Sequence, residues 1–219
     1  MSRLRKPKEF SVKKARSLQL ALSKRVIAED RLPTTLRYVA GVDAAYRGEY
    51  AVAAAAVLDW NTLKVLETKT ARMKSRFPYI PTLLSFREAP VIFRAINKLK
   101  LRPNVYLVDG HGWAHPYRCG LATHVGVTAH IPTIGVAKSL LYGEVKESAG
   151  KWAPIVEGDT IIGAAVFAKN GRKPIYVSVG HMVSLNRAID IVLHCIKKGR
   201  IPEPIRAAHL TANEAIKTR

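Results

Sequence analysis

The sequence is poor in cysteine, in acidic residues and in long apolar runs. Its two cysteines, Cys119 and Cys195, form neither a metal-binding spacing nor a disulfide framework, which favours a reducing, cytoplasmic location. The longest apolar run, Ala51 to Leu58, is too short to cross a bilayer, so no membrane partner is expected. Lys24 and Arg25 interrupt the apolar segment near the basic N-terminus, which argues against a signal peptide.

Basic residues outnumber the acidic ones. The chain has 36 lysines and arginines against 16 aspartates and glutamates, which gives a formal net charge of +20. This excess predicts a polyanionic partner, with nucleic acid favoured over an anionic membrane surface. A basic surface that serves only solubility is the alternative. Gln19 is the only glutamine, a scarcity found in proteins from hot habitats.

Length and hydrophobic content indicate one folded domain. The 219 residues, 48% of them hydrophobic, are enough for a single α/β core. We expect residues 1–219 to form one domain, with residues 1–10 as a flexible basic tail, and we expect a monomer.

The apolar pattern predicts an antiparallel meander followed by alternating helices and strands. A helix is expected from Ser11 to about Ala28, with Ser11 as its N-cap. Short turns should join three strands, from Tyr38 to Tyr46, from Tyr50 to Leu58 and from Leu63 to Thr70. Further helices are expected to start near Pro90 and at Arg118, Leu185 and Pro204, and further strands at Val105, Thr133, Ile161 and Ile175, the last two joined by a turn at Asn170-Gly171.

The stretch from Val105 to Ser139 carries the clearest chemical signal. Its apolar start predicts a buried strand, and Asp109 follows where that strand should end. Gly110 and Gly112 then allow the backbone to turn sharply and approach a ligand closely. Because ligands of open α/β sheets bind beyond the carboxyl ends of strands, we interpret Asp109 as a metal ligand or catalytic group. Helix capping is the alternative role.

Two further acids stand in comparable positions. Asp43 interrupts the apolar first strand, where a carboxylate without a cation or donor would be costly to bury. Glu88 precedes Pro90, which suits the first turn of a helix, and the positive helix end would favour the ionised form of Glu88. This layout of acids is typical of ribonuclease-H-like nucleases. We therefore expect an α/β, ribonuclease-H-like fold: a central mixed sheet with an antiparallel three-strand meander, flanked by helices.

Longer motifs around these acids resemble endonuclease V. They occur in order from about Leu20 to the C-terminus and several are long and specific. They are Tyr38-Val39-Ala40-Gly41-Val42-Asp43, Phe77-Pro78-Tyr79-Ile80-Pro81, Leu84-Ser85-Phe86-Arg87-Glu88, Asp109-Gly110-His111-Gly112, Ala114-His115-Pro116, Pro132-Thr133-Ile134-Gly135-Val136-Ala137-Lys138, Val177-Ser178-Val179-Gly180-His181 and Pro202-Glu203-Pro204.

The resemblance implies a Mg²⁺-dependent repair endodeoxyribonuclease, with Mn²⁺ as a substitute, that acts on hypoxanthine in DNA or sometimes RNA. The family cleaves the second phosphodiester bond 3′ to the lesion and leaves 3′-hydroxyl and 5′-phosphate ends. By this resemblance, Asp43, Glu88 and Asp109 match the metal-binding acids, and hard oxygen ligands suit Mg²⁺. Lys138 matches the catalytic lysine near the scissile phosphate, with simple backbone binding as the alternative. Tyr79 matches the wedge that fills the gap left by the displaced base.

His209 and a set of pocket residues complete the expected site. His209 stands where the family has Asp or His, so it is a fourth metal ligand, a general acid or base, or a structural histidine. The glycines of the pocket should free backbone groups to read the O6 and N1–H edge of hypoxanthine. The residues expected to bind substrate beside Tyr79 are Pro78, Ile80, Pro81, Leu84, Gly110, Gly112, His115, Gly120, Leu121, Gly135 and Ala137.

Two residues depart from the family pattern. Thr82 stands where relatives usually have glycine, and its side chain could restrict the wedge or change lesion preference. Trp113 replaces a smaller aliphatic residue, so it either stacks on nucleic acid or belongs to the core.

Other functions fit parts of the pattern. A structure-specific or RNA–DNA hybrid nuclease of the same fold would cut without hypoxanthine, and an inosine-specific ribonuclease would prefer RNA. A non-catalytic module that binds damaged nucleic acid would have no evident use for Asp43.

Overall fold

The computed structural model describes residues 11–75, 77–147, 150–167 and 173–217. The helices are α1 (Val12–Ser23), α2 (Leu84–Ile96), α3 (Leu121–Ala129), α4 (Leu185–His194) and α5 (Glu203–Lys217). The strands are β1 (Tyr38–Arg47), β2 (Tyr50–Asp59), β3 (Val65–Lys74), β4 (Val105–Asp109), β5 (Thr133–Ala137), β6 (Glu144–Val145), β7 (Trp152–Glu157), β8 (Thr160–Val166) and β9 (Ile175–His181). The expected tail at residues 1–10 and the turn at Asn170-Gly171 lie outside the described residues.

The described strands form one mixed sheet in the order β3-β2-β1-β4-β5-β9-β8-β7-β6. The first three strands are antiparallel neighbours, as the meander predicted. Strand β4 then pairs parallel to β1, and β5 pairs parallel to β4. The carboxyl ends of β1, β4 and β5 therefore meet at the same edge of the sheet. The predicted pairing of β8 with β9 is also present.

Helices cover both faces of the sheet because its central strands are apolar on both sides. Leu107 of β4 packs into the cluster that contains Ile205 of α5. The next residue, Val108, joins the opposite cluster, which contains Ile92 of α2. The sheet thus lies between α4 and α5 on one face and α2 and α3 on the other. Within the described ranges, no helix is both long and apolar enough to cross a bilayer.

The start of α5 lies against β1 at Gly41. A Cβ atom at this position would lie 1.9 Å from the carbonyl oxygen of Pro204, so a side chain there would push the helix away. This glycine allows α5 to approach β1 closely, and the approach brings His209 of α5 beside Asp43 of β1.

Several boundaries differ from the prediction. Helix α2 begins at Leu84, so Pro90 lies inside it and Glu88 lies in its second turn, away from the positive end. Helix α3 begins at Leu121, because Arg118 has a left-handed backbone with φ of 50°. Helix α1 ends at Ser23 rather than near Ala28, although Ser11 caps it as expected. Strands β6 and β7 were not predicted.

Candidate active site

Asp43 and Asp109 end up side by side because β1 and β4 are parallel neighbours. Val42 of β1 pairs with Val108 of β4, so the acid that follows each valine occupies the same level of the sheet. Helix α5 brings His209 to the same place. One ligand atom from each of Asp43, Asp109 and His209 lies within 4.8 Å of the others. The structure therefore joins two of the predicted metal-binding acids with the predicted histidine.

The two carboxylates are held by nearby donors. Asp43 Oδ2 lies 2.7 Å from His209 Nδ1, and Asp43 Oδ1 accepts a 2.7 Å hydrogen bond from the Ala44 N–H. Lys138 Nζ donates to Asp109 Oδ2 at 2.5 Å. The Asp43 and Asp109 side chains are only 13% and 14% exposed, whereas those of His209 and Lys138 are 49% and 43% exposed. The acids form the floor of the site and the cationic partners approach from the solvent side.

Glu88 lies beside this group but is not one of the three clustered residues. It is buried in the second turn of α2, which corrects the expectation that a helix N-terminus would favour its ionised form. Burial, followed by the charges of Asp43 and Asp109, raises the pKa of Glu88 to about 8. Burial and the Asp43 carboxylate also raise the pKa of Asp109, against the opposing effect of Lys138. Burial and the repulsion between neighbouring carboxylates thus favour the protonated forms of Glu88 and Asp109.

This group of residues fits a divalent cation. Carboxylate oxygens and an imidazole nitrogen are ligands that Mg²⁺ and Mn²⁺ accept. A cation among Asp43, Asp109 and His209 would also offset the repulsion that raises the pKa values of Glu88 and Asp109. Such a cation would also favour the ionised, negatively charged form of Glu88.

Asp43, Asp109 and His209 are called the acid cluster below. A pocket of about 240 Å³ opens next to it. The predicted substrate-binding residues that line it are Tyr79, Pro81, Leu84, Gly110, His115, Gly120 and Leu121. The predicted residues Pro78, Ile80, Gly112, Gly135 and Ala137 do not line it. The lining residues that were not predicted are Thr82, Ser85, His111, Ser139, Leu140 and Leu141. Ser139 to Leu141 directly follow Lys138, so their place in sequence was the available signal.

The glycines around this pocket serve close packing. The Gly112 N–H donates to Ser178 Oγ at 2.9 Å, and the Gly120 N–H donates to the Gly112 carbonyl at 2.9 Å. A Cβ on Gly135 would lie 2.4 Å from the nitrogen of Gly112. The N–H groups of Gly112 and Gly120 are thus already used, which corrects the expectation that the glycines free backbone donors for a base.

The start of α2 supplies different donors. Leu84 and Ser85 line the pocket and lie in the first turn of α2. The N–H groups of Leu84 and Ser85 have no acceptor within their own helix, and among the described residues no side chain caps α2. These N–H groups are available to an acceptor on a bound base.

The loop that carries Tyr79 is anchored at Thr82. Tyr79 is 67% exposed, whereas the Thr82 carbonyl accepts hydrogen bonds from Gln19 Nε2 at 2.7 Å and from His115 Nε2 at 3.0 Å. Since His115 Nδ1 accepts from the Tyr117 N–H, the ring proton is on Nε2. Gln19 Nε2 also donates to the Cys119 carbonyl at 3.1 Å, so this buried amide connects two segments that line the pocket.

The backbone of Thr82 has a φ of 71°, a left-handed conformation that is unfavourable for a β-branched residue. This conformation explains why glycine suits the position. Trp113, the other departure, does not line the pocket; it is half-buried with the Arg118 guanidinium 5.9 Å from its ring. His124 packs edge-on against Phe86, with the ring centroids 5.1 Å apart.

Comparisons with known proteins identify one family. A family model described as Endonuclease V matches residues 20–210. Endonuclease V of Thermofilum pendens is 46% identical over 209 residues, covering 95% of this chain and 90% of the relative. The crystal structure of Endonuclease V from Streptomyces avermitilis is 40% identical, with a TM-score of 0.89 and coverage of 95% and 94% of the two chains.

A third similar structure contains nucleic acid. Ciona intestinalis Endonuclease V, in complex with a 24mer DNA containing an inosine followed by a ribo-adenosine, is 33% identical with a TM-score of 0.87, covering 94% of this chain and 98% of that one. These similarities confirm the predicted ribonuclease-H-like fold. The chain therefore belongs to the endonuclease V family of endodeoxyribonucleases.

Proposed function

We propose that this protein is a divalent-metal-dependent repair endonuclease that recognises hypoxanthine in DNA and hydrolyses the second phosphodiester bond on its 3′ side. The main support for the proposal is that the acid cluster lies directly beside the pocket that contains Tyr79. Asp109 belongs to the cluster, and the next two residues, Gly110 and His111, line the pocket. A base held in the pocket therefore has its own strand close to the acids.

Asp43, Asp109 and His209 would hold the cation, and the positive charge of the cation would favour the ionised form of the buried Glu88 beside them. A bound Mg²⁺ or Mn²⁺ supplies an activated water and stabilises negative charge on the phosphate and the leaving oxygen. Lys138 is exposed at its tip, so its ammonium can turn from Asp109 to a phosphate oxygen and stabilise charge that develops there. His209 is half exposed and can ligate the cation or give a proton to the leaving 3′-oxygen.

The pocket suits a base that has left the helix. A base in a duplex must be displaced before its edge can be read, at a cost of a few kcal/mol. Tyr79 is exposed beside the pocket and can fill the vacated space in the duplex. The first-turn N–H groups of Leu84 and Ser85 can donate to the O6 acceptor of hypoxanthine, whereas the amine of adenine at that position would leave them unpaired. Hypoxanthine is therefore favoured over adenine.

The test is cleavage of matched duplexes with end mapping. Hypoxanthine-containing DNA should be cut in Mg²⁺ at the second bond 3′ to the lesion, and the adenine duplex should remain intact. A matched RNA duplex tests the alternative of an inosine-specific ribonuclease, and equal cutting of undamaged duplex would contradict base recognition.

Tyr79→Ala tests the wedge. It should reduce the preference for hypoxanthine by roughly fivefold to a hundredfold, the scale of one base–aromatic contact. Tyr50→Ala removes another exposed tyrosine from β2 and should leave the preference unchanged. A Tyr79→Ala enzyme that discriminates like the wild type would remove the wedge from the proposal.

A further inference from the structure

A second pocket lies on the other side of the acid cluster. It has a volume of about 290 Å³ and is lined by Lys138, Lys198, Gly199, Arg200, Ile201, Ile205, Arg206 and His209. Four of these side chains are basic, and two isoleucines form its apolar part. Ile205 is almost fully buried, so the cations lie next to a low-dielectric wall, where an anion is attracted more strongly than in open water.

Carboxylates compensate only part of this positive charge. Arg206 is paired with Glu203, which is 8% exposed, and Lys138 is paired with Asp109. Arg200 donates to the carbonyl oxygen of Pro174 at 2.9 Å, a neutral acceptor that leaves its charge uncompensated. Lys198 is exposed and makes no hydrogen bond or ion pair with the part of the chain that the structure describes. The pocket therefore has an excess of positive charge that comes from Lys198 and Arg200.

Two consecutive residues, Lys138 and Ser139, show how the two pockets lie relative to each other. Lys138 lines this second pocket, which we call the basic pocket. Ser139 lines the first pocket, beside Tyr79, which we call the base pocket. His209 lines the basic pocket and also contacts Asp43 of the acid cluster. The acid cluster thus lies between the two pockets, and a strand that leaves the base pocket past the acids reaches the basic pocket next.

We propose that the basic pocket binds the phosphate that directly follows the scissile phosphate on the 3′ side of the cleaved strand. This inference rests on the proposed function, which sets the strand direction from the base pocket towards its 3′ end. The ligand is the phosphodiester of the substrate itself, recognised by charge and without reading of sequence. Its role is to hold the strand on the far side of the bond that breaks.

Lys198 is the residue that tests the pocket most cleanly. Arg206 compensates a buried carboxylate, and Arg200 contacts the carbonyl of Lys138, so substitutions at either would disturb the fold or the active site. Lys198→Gln removes a charge from an exposed side chain alone. Lys197→Gln is the matched control, because it removes the same charge one residue away, where the ammonium donates to the carbonyl of Thr62 outside the pocket.

The experiment pairs these variants with one altered substrate. Two hypoxanthine duplexes are compared, one with natural phosphates and one with a single uncharged methylphosphonate at the linkage that follows the scissile bond. On the natural duplex, Lys198→Gln should lower kcat/KM by roughly fivefold, the scale of one exposed charge pair. The slope of log affinity against log salt should become shallower by about one phosphate contact.

On the methylphosphonate duplex the wild type should lose at least the same factor, because every cation of the basic pocket then faces an uncharged linkage, and Lys198→Gln should match the wild type on that duplex. The proposal is overturned if Lys197→Gln and Lys198→Gln behave alike, or if Lys198→Gln remains as harmful on the methylphosphonate duplex as on the natural one. Wild-type protein that does not cut the natural duplex would contradict the proposed function instead. Binding of the same duplexes needs no turnover, so it tests the pocket in that case as well.

Discussion

The two pockets on either side of the acid cluster are built in different ways. The base pocket depends on close backbone packing and on buried side chains, since Gln19 and His115 both fix the carbonyl of Thr82. The basic pocket depends on long charged side chains such as Lys198, which lie largely in solvent. Reading the edge of a base requires fixed distances, whereas attraction of a phosphate tolerates movement. Damage to the base pocket should therefore change specificity, and damage to the basic pocket should change affinity.

The largest effect is expected at the acids between the pockets. Asp43→Asn and Asp109→Asn should each reduce kcat by at least about a hundredfold to a thousandfold, because charge stabilisation at the reacting phosphate is lost. Binding of hypoxanthine-containing duplex should persist, since neither Asp43 nor Asp109 lines either pocket. Asp159→Asn, in the exposed turn between β7 and β8, is the control. The rise in melting temperature on Mg²⁺ addition should shrink in the two acid variants only; an undiminished rise would contradict this metal site.

The position of the acids was predictable because it depends on strand order. Asp43 lies within the apolar strand β1 and Asp109 is the last residue of β4, and parallel pairing of those strands leaves little freedom in where the acids meet. The sequence motifs identified the family, and the resemblance to that family pointed to His209. Nothing in the local sequence, however, shows that α5 crosses β1 at Gly41. Long-range approaches of this kind are set by packing and not by periodicity.

The environment of Glu88 and the details of the pocket were harder to predict. Pro90 usually indicates a first helical turn, but here α2 continues through it, which places Glu88 in a buried second turn. Strand β7 contains Pro154, a residue that argues against a strand in any single-sequence interpretation. Of the four predicted glycines, Gly110 and Gly120 line the pocket, but sequence cannot show that the N–H groups of Gly112 and Gly120 are already used.

As the pH falls, the base pocket should be destabilised before the basic pocket is. Burial is the main cause that lowers the pKa of His115 to about 4, from an ordinary value of 6.5. Between pH 4 and 6.5 the unfolded chain therefore binds more protons at this residue, so stability is lost as the pH falls through that window, by about 3 kcal/mol at most for one group. Protonation also places a second N–H on Nδ1, facing the N–H of Tyr117.

His124 provides the control for this prediction. Burial lowers its pKa to about 4 as well, but it packs against Phe86 and does not line the base pocket. In urea unfolding at pH 7 and pH 5, His115→Gln and His124→Gln should each lose part of the acid sensitivity of the wild type. Only His115→Gln should also weaken discrimination between hypoxanthine and adenine. Equal discrimination in both variants would show that His115 does not support the pocket.

Gln19→Leu tests how much the base pocket depends on the buried amide of Gln19. Leucine has a similar size but cannot donate, so the Cys119 carbonyl loses a hydrogen bond while the Thr82 carbonyl keeps the one from His115. The free energy of unfolding should fall by about 1–3 kcal/mol, the cost of one unpaired buried group. Discrimination between hypoxanthine and adenine should weaken, with little change in kcat on the hypoxanthine duplex, because the acids are untouched. Leu20→Ala, on an exposed position of the same helix, should change neither quantity.

The smallest effect is expected from Thr82→Gly. The left-handed backbone of Thr82 costs a residue with a Cβ about 1–2 kcal/mol, whereas glycine adopts it freely. Glycine also gains freedom in the unfolded chain, which offsets about 0.5–1 kcal/mol, so the net gain in stability should stay below about 1.5 kcal/mol. Both hydrogen bonds to residue 82 use its carbonyl and survive the change. If the anchoring by Gln19 and His115 fixes the loop, the preference for hypoxanthine should remain at the wild-type level while the melting temperature rises slightly. A marked loss of preference at unchanged stability would show that the threonine side chain, and not the anchored carbonyl, holds Tyr79 in place.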